Sequence, residues 1–236
     1  SIMLPQLGNF NRLALFFKVK EDLGAICATM KKFLDEVMVR GPFGVPGGGT
    51  IAPTNPVGLL VGPGAAPIDN VNPGVYVAGT GTWALAAGGP TFSETPDILS
   101  GTTTPVAVPF EIDLMEYHLQ QNNPLGLNSG TATNHYKNAV EDFSIAGAFF
   151  GWRGPYFDEI TPDPWGNRYA VNTFGLHADG SGNTFSTAVV CYSAGPNGQA
   201  ETVFNQPYLP NGAPPNFGWV TDGDDEAAVL SAMGPF

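Results

Sequence analysis

The chain has 236 residues, 43% of them hydrophobic, so it is long enough for one large or two small domains with a sizeable core. Its 31 glycines and 22 prolines predict loops and short strands, unlike a mainly helical protein. A net charge of -12 with only 9 basic residues argues against nucleic acid as a partner, because phosphate binding needs clustered Lys and Arg.

The first predicted element is an amphipathic helix from Leu13 to Val37. Its apolar positions recur at steps of three and four residues, the period of a helix with one buried face. Asn11 is the expected N-cap, and Gly41-Pro42 is the expected stop. No apolar stretch reaches the roughly 18 residues needed to cross a bilayer, and no secretory signal peptide opens the chain. We assign residues 1–41 to this N-terminal helix.

Residues 42–109 differ sharply from the helix in composition. Glycines, prolines, serines and threonines separate short apolar pieces such as Val57 to Val61, and charged residues are almost absent. This pattern predicts short strands and long loops. We interpret the block as a surface insertion, for which an adhesive or subunit-contacting role is one hypothesis.

The next segments alternate helical and strand patterns. A second, shorter helix is predicted around Phe110 to Asn122, and a third within Asn134 to Phe150. Strands are predicted in three later segments: Asn167 to Phe174, Thr184 to Tyr192 and Phe217 to Val220.

The simplest arrangement of these strands is an antiparallel meander. The run Gly180 to Asn183 supplies a hairpin-type turn between the first two strands. The apolar side of the sheet is expected to pack against the long helix through Val171, Phe185, Val189 and Cys191.

Cys27 and Cys191 are the only cysteines, and neither belongs to a CxxC pair, which argues against zinc or thioredoxin-like sites. One falls on the predicted helix and the other on a predicted strand. They can join across a helix–sheet interface in an oxidising compartment, or they can remain small core residues.

Four runs stand in a distinctive order in the second half of the chain: GWRGPY from Gly151, DPWGN from Asp163, YSAG from Tyr192, and DGDD from Asp222. Asp, Pro and Gly occupy the first, second and fourth places of a type I turn in the second run, which predicts a corner between strands. In this order the runs resemble the C-terminal half of the major pseudopilin of type II secretion systems.

The resemblance implies an α+β fold with a long N-terminal amphipathic helix on a small antiparallel β-sheet. Residues 110–236 would form the globular sheet domain, and the Gly/Pro-rich block 42–109 would be a large insertion of loops and short strands. The end of the family's long helix matches either Asp22 to Val37 or Phe110 to Tyr117. A hydrophobic membrane helix would precede Leu4, so we expect the membrane part to have been removed.

The same resemblance implies a structural subunit of a bacterial envelope filament, either a type II secretion pseudopilus or a type IV pilus-like fibre. Such a subunit acts by assembly with other pilin-like subunits and an inner-membrane machinery, at the inner membrane, in the periplasm or on the cell surface. The alternative is an extracellular binding module or adhesin that uses the insertion.

Asp222, Asp224 and Asp225 place three carboxylates within four residues, the oxygen chemistry that calcium prefers. The resemblance implies a calcium site with Asp224 and Asp225 as side-chain ligands and the Ala194 carbonyl as a third. Asn197 stands where the family usually has Asp, so Asp222 is the expected substitute. The alternative is a solvated acidic loop without metal.

Catalytic motifs are not evident in the sequence. The three histidines, His118, His135 and His177, have no metal-ligand spacing and are expected to be surface or packing residues. Ser193 lacks the GxSxG context of a nucleophile elbow. We therefore predict that the protein is not an enzyme.

Overall fold

The computed structural model describes residues 4–37, 44–47, 50–69, 111–124, 136, 151–173, 189–201 and 224–230. Two helices and eight strands lie within these ranges. In chain order they are α1 (Leu4–Val37), β1 (Gly44–Gly47), β2 (Thr50–Val61), β3 (Ile68–Asp69), β4 (Glu111–Leu114), α2 (Met115–Leu119), β5 (Tyr169–Asn172), β6 (Val189–Ser193), β7 (Gln199–Ala200) and β8 (Glu226–Leu230).

Helix α1 confirms the predicted continuous helix over Leu13 to Val37, but it begins earlier, at Leu4. Asn11 is therefore inside the helix, and its predicted role as N-cap is wrong. Asn costs less than about 0.7 kcal/mol in a helix interior, too little to stop a helix that is already running. None of the described helices is both long and apolar enough to span a bilayer.

The main sheet has six strands, in the order β1-β2-β5-β6-β8, with β4 paired to β2. β5 and β6 are antiparallel, as are β6 and β8. β4 and β2 are parallel, so the expected small antiparallel sheet is a mixed one. β3 and β7 form a separate parallel pair.

Both faces of the sheet centre are buried, which explains why its strands are nearly continuous apolar runs. Tyr169, Val171, Val189 and Cys191 belong to the cluster that includes α1, which confirms the predicted packing for Val171, Val189 and Cys191. Their neighbours Ala170, Val190 and Tyr192 lie in a second cluster on the opposite face. This alternation is the period of two that a strand imposes.

The predicted helix over Phe110 to Asn122 is wrong in its first half. Residues Glu111–Leu114 form β4, whose Ile112, Asp113 and Leu114 pair with Leu59, Leu60 and Val61 of β2. Because cross-strand pairing and the burial of Ile112 outweigh local helical periodicity, only Met115–Leu119 remains helical.

The surface character predicted for residues 42–109 is wrong for residues 57–62, whereas Gly64, Ala65 and Ile68 are exposed. Val57, Leu59, Leu60 and Val61 are completely buried, and β2 pairs with β4, β5 and β1. The predicted short strands are confirmed by β1 and β2. The division into 1–41, 42–109 and 110–236 stays a prediction.

Some predicted features lie outside the described residues. They are the strand at Phe217 to Val220, the turn at Gly180 to Asn183, Phe185, and the third helix at Asn134 to Phe150 apart from Tyr136.

A disulfide joins Cys27 of α1 to Cys191 of β6 and resolves the alternatives left by the sequence. The two Cα atoms are 6.0 Å apart, and the two residues are separated by 164 positions in the chain. Both cysteines are buried in the cluster between α1 and the sheet. The bond therefore fixes the helix to the middle of the sheet.

Polar contacts fix α1 to the sheet at further points. Tyr169 donates its hydroxyl hydrogen to Asp22 at 2.9 Å, and Lys20 lies 3.6 Å from Glu226. At the far end, the Gly151 N–H donates to the Glu36 carbonyl at 2.7 Å. These contacts distribute the attachment of α1 over β5, β8 and the start of the GWRGPY run.

Candidate metal centre

The turn predicted at Asp163 is present and organises the base of the site. The Gly166 N–H donates to the Asp163 carbonyl at 2.9 Å, which closes a four-residue turn. Asp163 Oδ1 accepts hydrogen bonds from the backbone N–H groups of Trp165 and Asn167, at 3.0 and 2.7 Å. The predicted turn is thus confirmed, with the Asp side chain bonding the backbone ahead of it, but it is not a corner between strands, because β5 follows it and residues 153–162 before it form no strand.

The same carboxylate ties this turn to the end of β6. Ser193 donates its hydroxyl hydrogen to Asp163 Oδ2 at 2.8 Å, and Asn167 donates its side-chain amide to the Gly195 carbonyl at 2.8 Å. Burial raises the pKa of Asp163, and hydrogen bonds from Asn167, Ser193 and Trp165 oppose that rise. Ser193, which lacked a catalytic motif, therefore serves as a structural donor.

Gly195 brings the end of β6 into direct contact with the acidic segment before β8. Its φ of +63° is in the left-handed region, and the backbone of Asp224 occupies the space where a Cβ would stand. This close approach places the loop that begins at Ala194 against the start of β8.

Three carboxylates converge at this contact. Oxygens of Glu201, Asp224 and Asp225 lie within 4.8 Å of one another. The Glu201 N–H donates to Asp225 Oδ2 at 2.8 Å, and the Asp224 N–H lies 3.4 Å from Glu201 Oε2. Asp224 Oδ1 is a buried oxygen for which the described part of the chain offers no hydrogen-bond donor.

The predicted ligands are partly brought together. Asp224 and Asp225 both belong to the cluster, and Ala194 is buried directly before Gly195. Asn197 lies at the rim, where its amide donates to Glu201 at 3.2 Å and its Oδ1 accepts from the Gln199 N–H at 2.7 Å. Asp222 lies outside the described residues.

Glu201 was missed by the sequence reasoning. It directly follows β7, and it is the only acidic residue between Asp179 and Asp222. A single acidic residue in an otherwise uncharged stretch could have marked Glu201 as a candidate ligand in the sequence. The motif comparison directed attention to Asn197, four residues earlier, because the family carries its Asp at that position.

The donor set fits calcium. Calcium–oxygen bonds are about 2.3–2.6 Å, so two oxygens on one ion are at most about 5 Å apart, and the three carboxylate oxygens lie within that distance of one another. Three hard carboxylates suit a divalent cation, and backbone carbonyls or water would complete its six to eight ligands.

A second group of titratable side chains is closed to solvent. His118 Nε2 lies 2.7 Å from Asp113 Oδ2, and His118 Nδ1 lies 2.6 Å from the Tyr136 hydroxyl. All three residues are at most 5% exposed, and burial together with the Asp113 charge raises the pKa of Tyr136. His118 is thus a packing residue, as predicted, whereas His135 and His177 lie outside the described residues.

Comparison with family models, curated proteins and solved structures finds no match to this chain.

Proposed function

We propose that the protein is a structural subunit of a bacterial envelope filament, a type II secretion pseudopilus or a type IV pilus-like fibre. It would act by assembly and not by catalysis, with other pilin-like subunits and an inner-membrane assembly machinery as partners. Its location would be the inner membrane and periplasm, or a filament at the cell surface. The sequence resemblance motivates the proposal, and one feature of α1 supports it.

That feature is a run of exposed residues in α1 that begins at Phe10. Every residue from Phe10 to Leu15 is exposed, and Phe10, Leu13 and Phe17 expose 68%, 52% and 60% of their surface. Their spacing of three and four residues puts them on one face of the helix. Large apolar groups grouped on one helix face in this way mark an interaction surface.

The boundary between the exposed and buried halves is sharp. Phe16 meets the Trp165 ring edge-on at 5.1 Å, and from Val19 onward one face of α1 is buried. The projecting segment is residues 10–17, about 12 Å long at 1.5 Å per residue, in which only Phe16 is partly buried. The exposed apolar face of this segment is the surface that a partner would cover.

A second copy of the chain suits this segment. The anchored half is fixed to the sheet by the Cys27–Cys191 disulfide and by the Asp22–Tyr169 hydrogen bond, which leaves the projecting segment to contact neighbours. In a filament, repeated helix–helix contacts of this kind would bury Phe10, Leu13 and Phe17. The Cys27–Cys191 disulfide would then hold the sheet of each subunit to the helices in the fibre core.

Site-specific photo-crosslinking tests the proposal. A benzoylphenylalanine at position 13 is expected to produce dimers and higher oligomers of the chain at high protein concentration. The matched control carries benzoylphenylalanine at position 159 instead, where Glu159 is exposed and lies outside α1. Crosslinking at position 13 but not at 159 supports assembly through α1, whereas only monomer at position 13 would overturn it.

We further propose that calcium binds the cluster of Glu201, Asp224 and Asp225. Neutralising three close carboxylates would tie the start of β8 to the loop after β6. The Ala194 carbonyl, Asn197 and Asp222 remain proposed additional ligands. The supporting observations are that the carboxylate oxygens lie within 4.8 Å of one another and that Asp224 Oδ1 is buried.

A further inference from the structure

The loop that follows β6 contains an Asn-Gly pair, Asn197-Gly198. Asn197 is exposed, and Gly198 has a φ of +65°, in the left-handed region that favours glycine. Asparagine is thermolabile, and it is most so before glycine, because no side chain obstructs attack of the next backbone nitrogen on the asparagine Cγ. The residue types and their exposure therefore make this pair a candidate for spontaneous deamidation.

The hydrogen bonds around Asn197 favour this reaction in the folded chain. Its Oδ1 accepts from the Gln199 N–H at 2.7 Å, which draws electron density from Cγ and would stabilise negative charge on the oxygen as the new bond forms. The Gly198 N–H lies 3.3 Å from the Gly195 carbonyl, longer than an ordinary hydrogen bond. The attacked carbon is thus activated, and the attacking nitrogen is not held by a strong hydrogen bond.

The side-chain amide of Asn197 lies beside the carboxylate cluster. Asn197 Nδ2 donates to Glu201 Oε2 at 3.2 Å, and oxygens of Glu201, Asp224 and Asp225 lie within 4.8 Å of one another. Replacement of this nitrogen by an oxygen would exchange an attractive contact for repulsion between two carboxylates. A change from amide to acid at Asn197 would therefore alter the charge of the cluster itself.

From these observations we propose that Asn197 is a site of spontaneous deamidation that adds a fourth carboxylate to the cluster. The Gly198 nitrogen loses its proton and bonds to Asn197 Cγ, and the Cγ–Nδ2 bond breaks with release of ammonia, which takes up a proton. Water then opens the resulting succinimide and leaves aspartate or isoaspartate at this position, with no oxidation or reduction. The effect on cation binding rests on the proposed calcium site, whereas the covalent change does not.

Peptide mapping by mass spectrometry tests the covalent change in the 236-residue chain, kept at neutral pH with chelator. Asn197 should convert to aspartate and isoaspartate at least as fast in the folded chain as in urea, where the contact with the Gln199 N–H is lost. Asn197→Gln should convert far more slowly at this position, because its longer side chain must close a larger ring. No conversion at Asn197, or conversion confined to the unfolded chain, would overturn the inference.

Two variants test where the new carboxylate lies. In chelator, Asn197→Asp should unfold at a lower temperature than Asn197→Ser, which removes the amide without adding charge, because only the first variant repels Glu201. With calcium, Asn197→Asp should bind about tenfold more tightly than the wild type, since affinity follows ligand charge, and Asn197→Ser should bind no more tightly.

Equal unfolding temperatures of the two variants in chelator would overturn the placement of the new carboxylate in the cluster. Conversion at Asn197 without calcium binding by any of these proteins would remove the calcium proposal and leave the modification site in place. Neither measurement depends on crosslinking at position 13, so the assembly proposal stands or falls separately.

Discussion

The two halves of α1 share one continuous helix but differ in what surrounds them. In the anchored half, Val19, Leu23, Met30 and Phe33 are at most 1% exposed against the sheet. In the projecting segment, Phe10 and Leu13 point equally large side chains into solvent. Helical periodicity alone did not separate these halves, because both repeat apolar residues at three- and four-residue steps. Only the position of the sheet determines which half is core.

The largest expected effect concerns the disulfide of the anchored half. Replacing Cys27 and Cys191 by Ser should lower the free energy of unfolding by about 3–5 kcal/mol, because the bond closes a very long loop. Urea denaturation of the double variant measures the loss. Phe10→Ser with Phe17→Ser is the contrasting pair and should change stability by less than about 0.5 kcal/mol. Equal losses in the two double variants would contradict the division of α1 into an anchored and a projecting half.

A smaller effect is expected from calcium. At a hundredfold excess over its dissociation constant, calcium should stabilise the protein by about 2.7 kcal/mol, since it binds only the folded cluster. Asp225→Asn should remove most of this gain, whereas Asp158→Asn, at an exposed carboxylate elsewhere on the body, should keep it.

Thermal unfolding with calcium, with magnesium and with chelator measures the calcium effect. The gain should appear in the wild type and in the Phe10→Ser and Phe17→Ser double variant alike, because neither phenylalanine belongs to the carboxylate cluster. An unchanged midpoint on adding calcium would exclude the metal proposal.

The smallest expected effect is a gradual loss of stability at alkaline pH, caused by two tyrosines packed near the anchored half of α1. Burial, reinforced by the Glu36 carboxylate, raises the pKa of Tyr156 to about 12, and burial with the hydrogen bond to Asp22 raises that of Tyr169 further. Between pH values of about 10 and 12 the unfolded chain releases these protons while the folded chain retains them. Stability should therefore fall as the pH rises through this window.

Tyr156→Phe with Tyr169→Phe should flatten this decline, as measured by urea midpoints at pH 8, 10 and 11. Both cysteines are held in the disulfide, so thiol exchange does not complicate the comparison. A double variant with the same decline as the wild type would show that other groups control alkaline unfolding.

Much of the fold was predictable where local pattern and tertiary environment agree. The period of α1 and the β-branched runs at β5 and β6 identified these elements, and Asp163-Pro164 with Gly166 identified the turn. β8 was missed because Ala227 and Ala228 have low strand propensity. Its extended conformation is stabilised by pairing with β6, which the local sequence does not reveal. β4 was mistaken for a helix because its local periodicity is helical, whereas pairing with β2 makes it a strand.

The candidate site was predictable only in part. Adjacent carboxylates at Asp224 and Asp225 are visible in the sequence, but the third member, Glu201, comes from a loop whose path depends on the close approach of Gly195 to Asp224. A sequence shows which oxygens are available. The close backbone contact decides which of them meet.

The packing of α1 against β8 affects how the protein is made. The first element of the chain contacts the last described strand, and Lys20 of α1 lies 3.6 Å from Glu226. During synthesis from the N-terminus, α1 must wait for the 201 residues that separate Cys27 from Ala228 before this contact can form. Such a large sequence separation predicts slow folding, with the apolar face of a newly made α1 open to chaperones until β8 has left the ribosome.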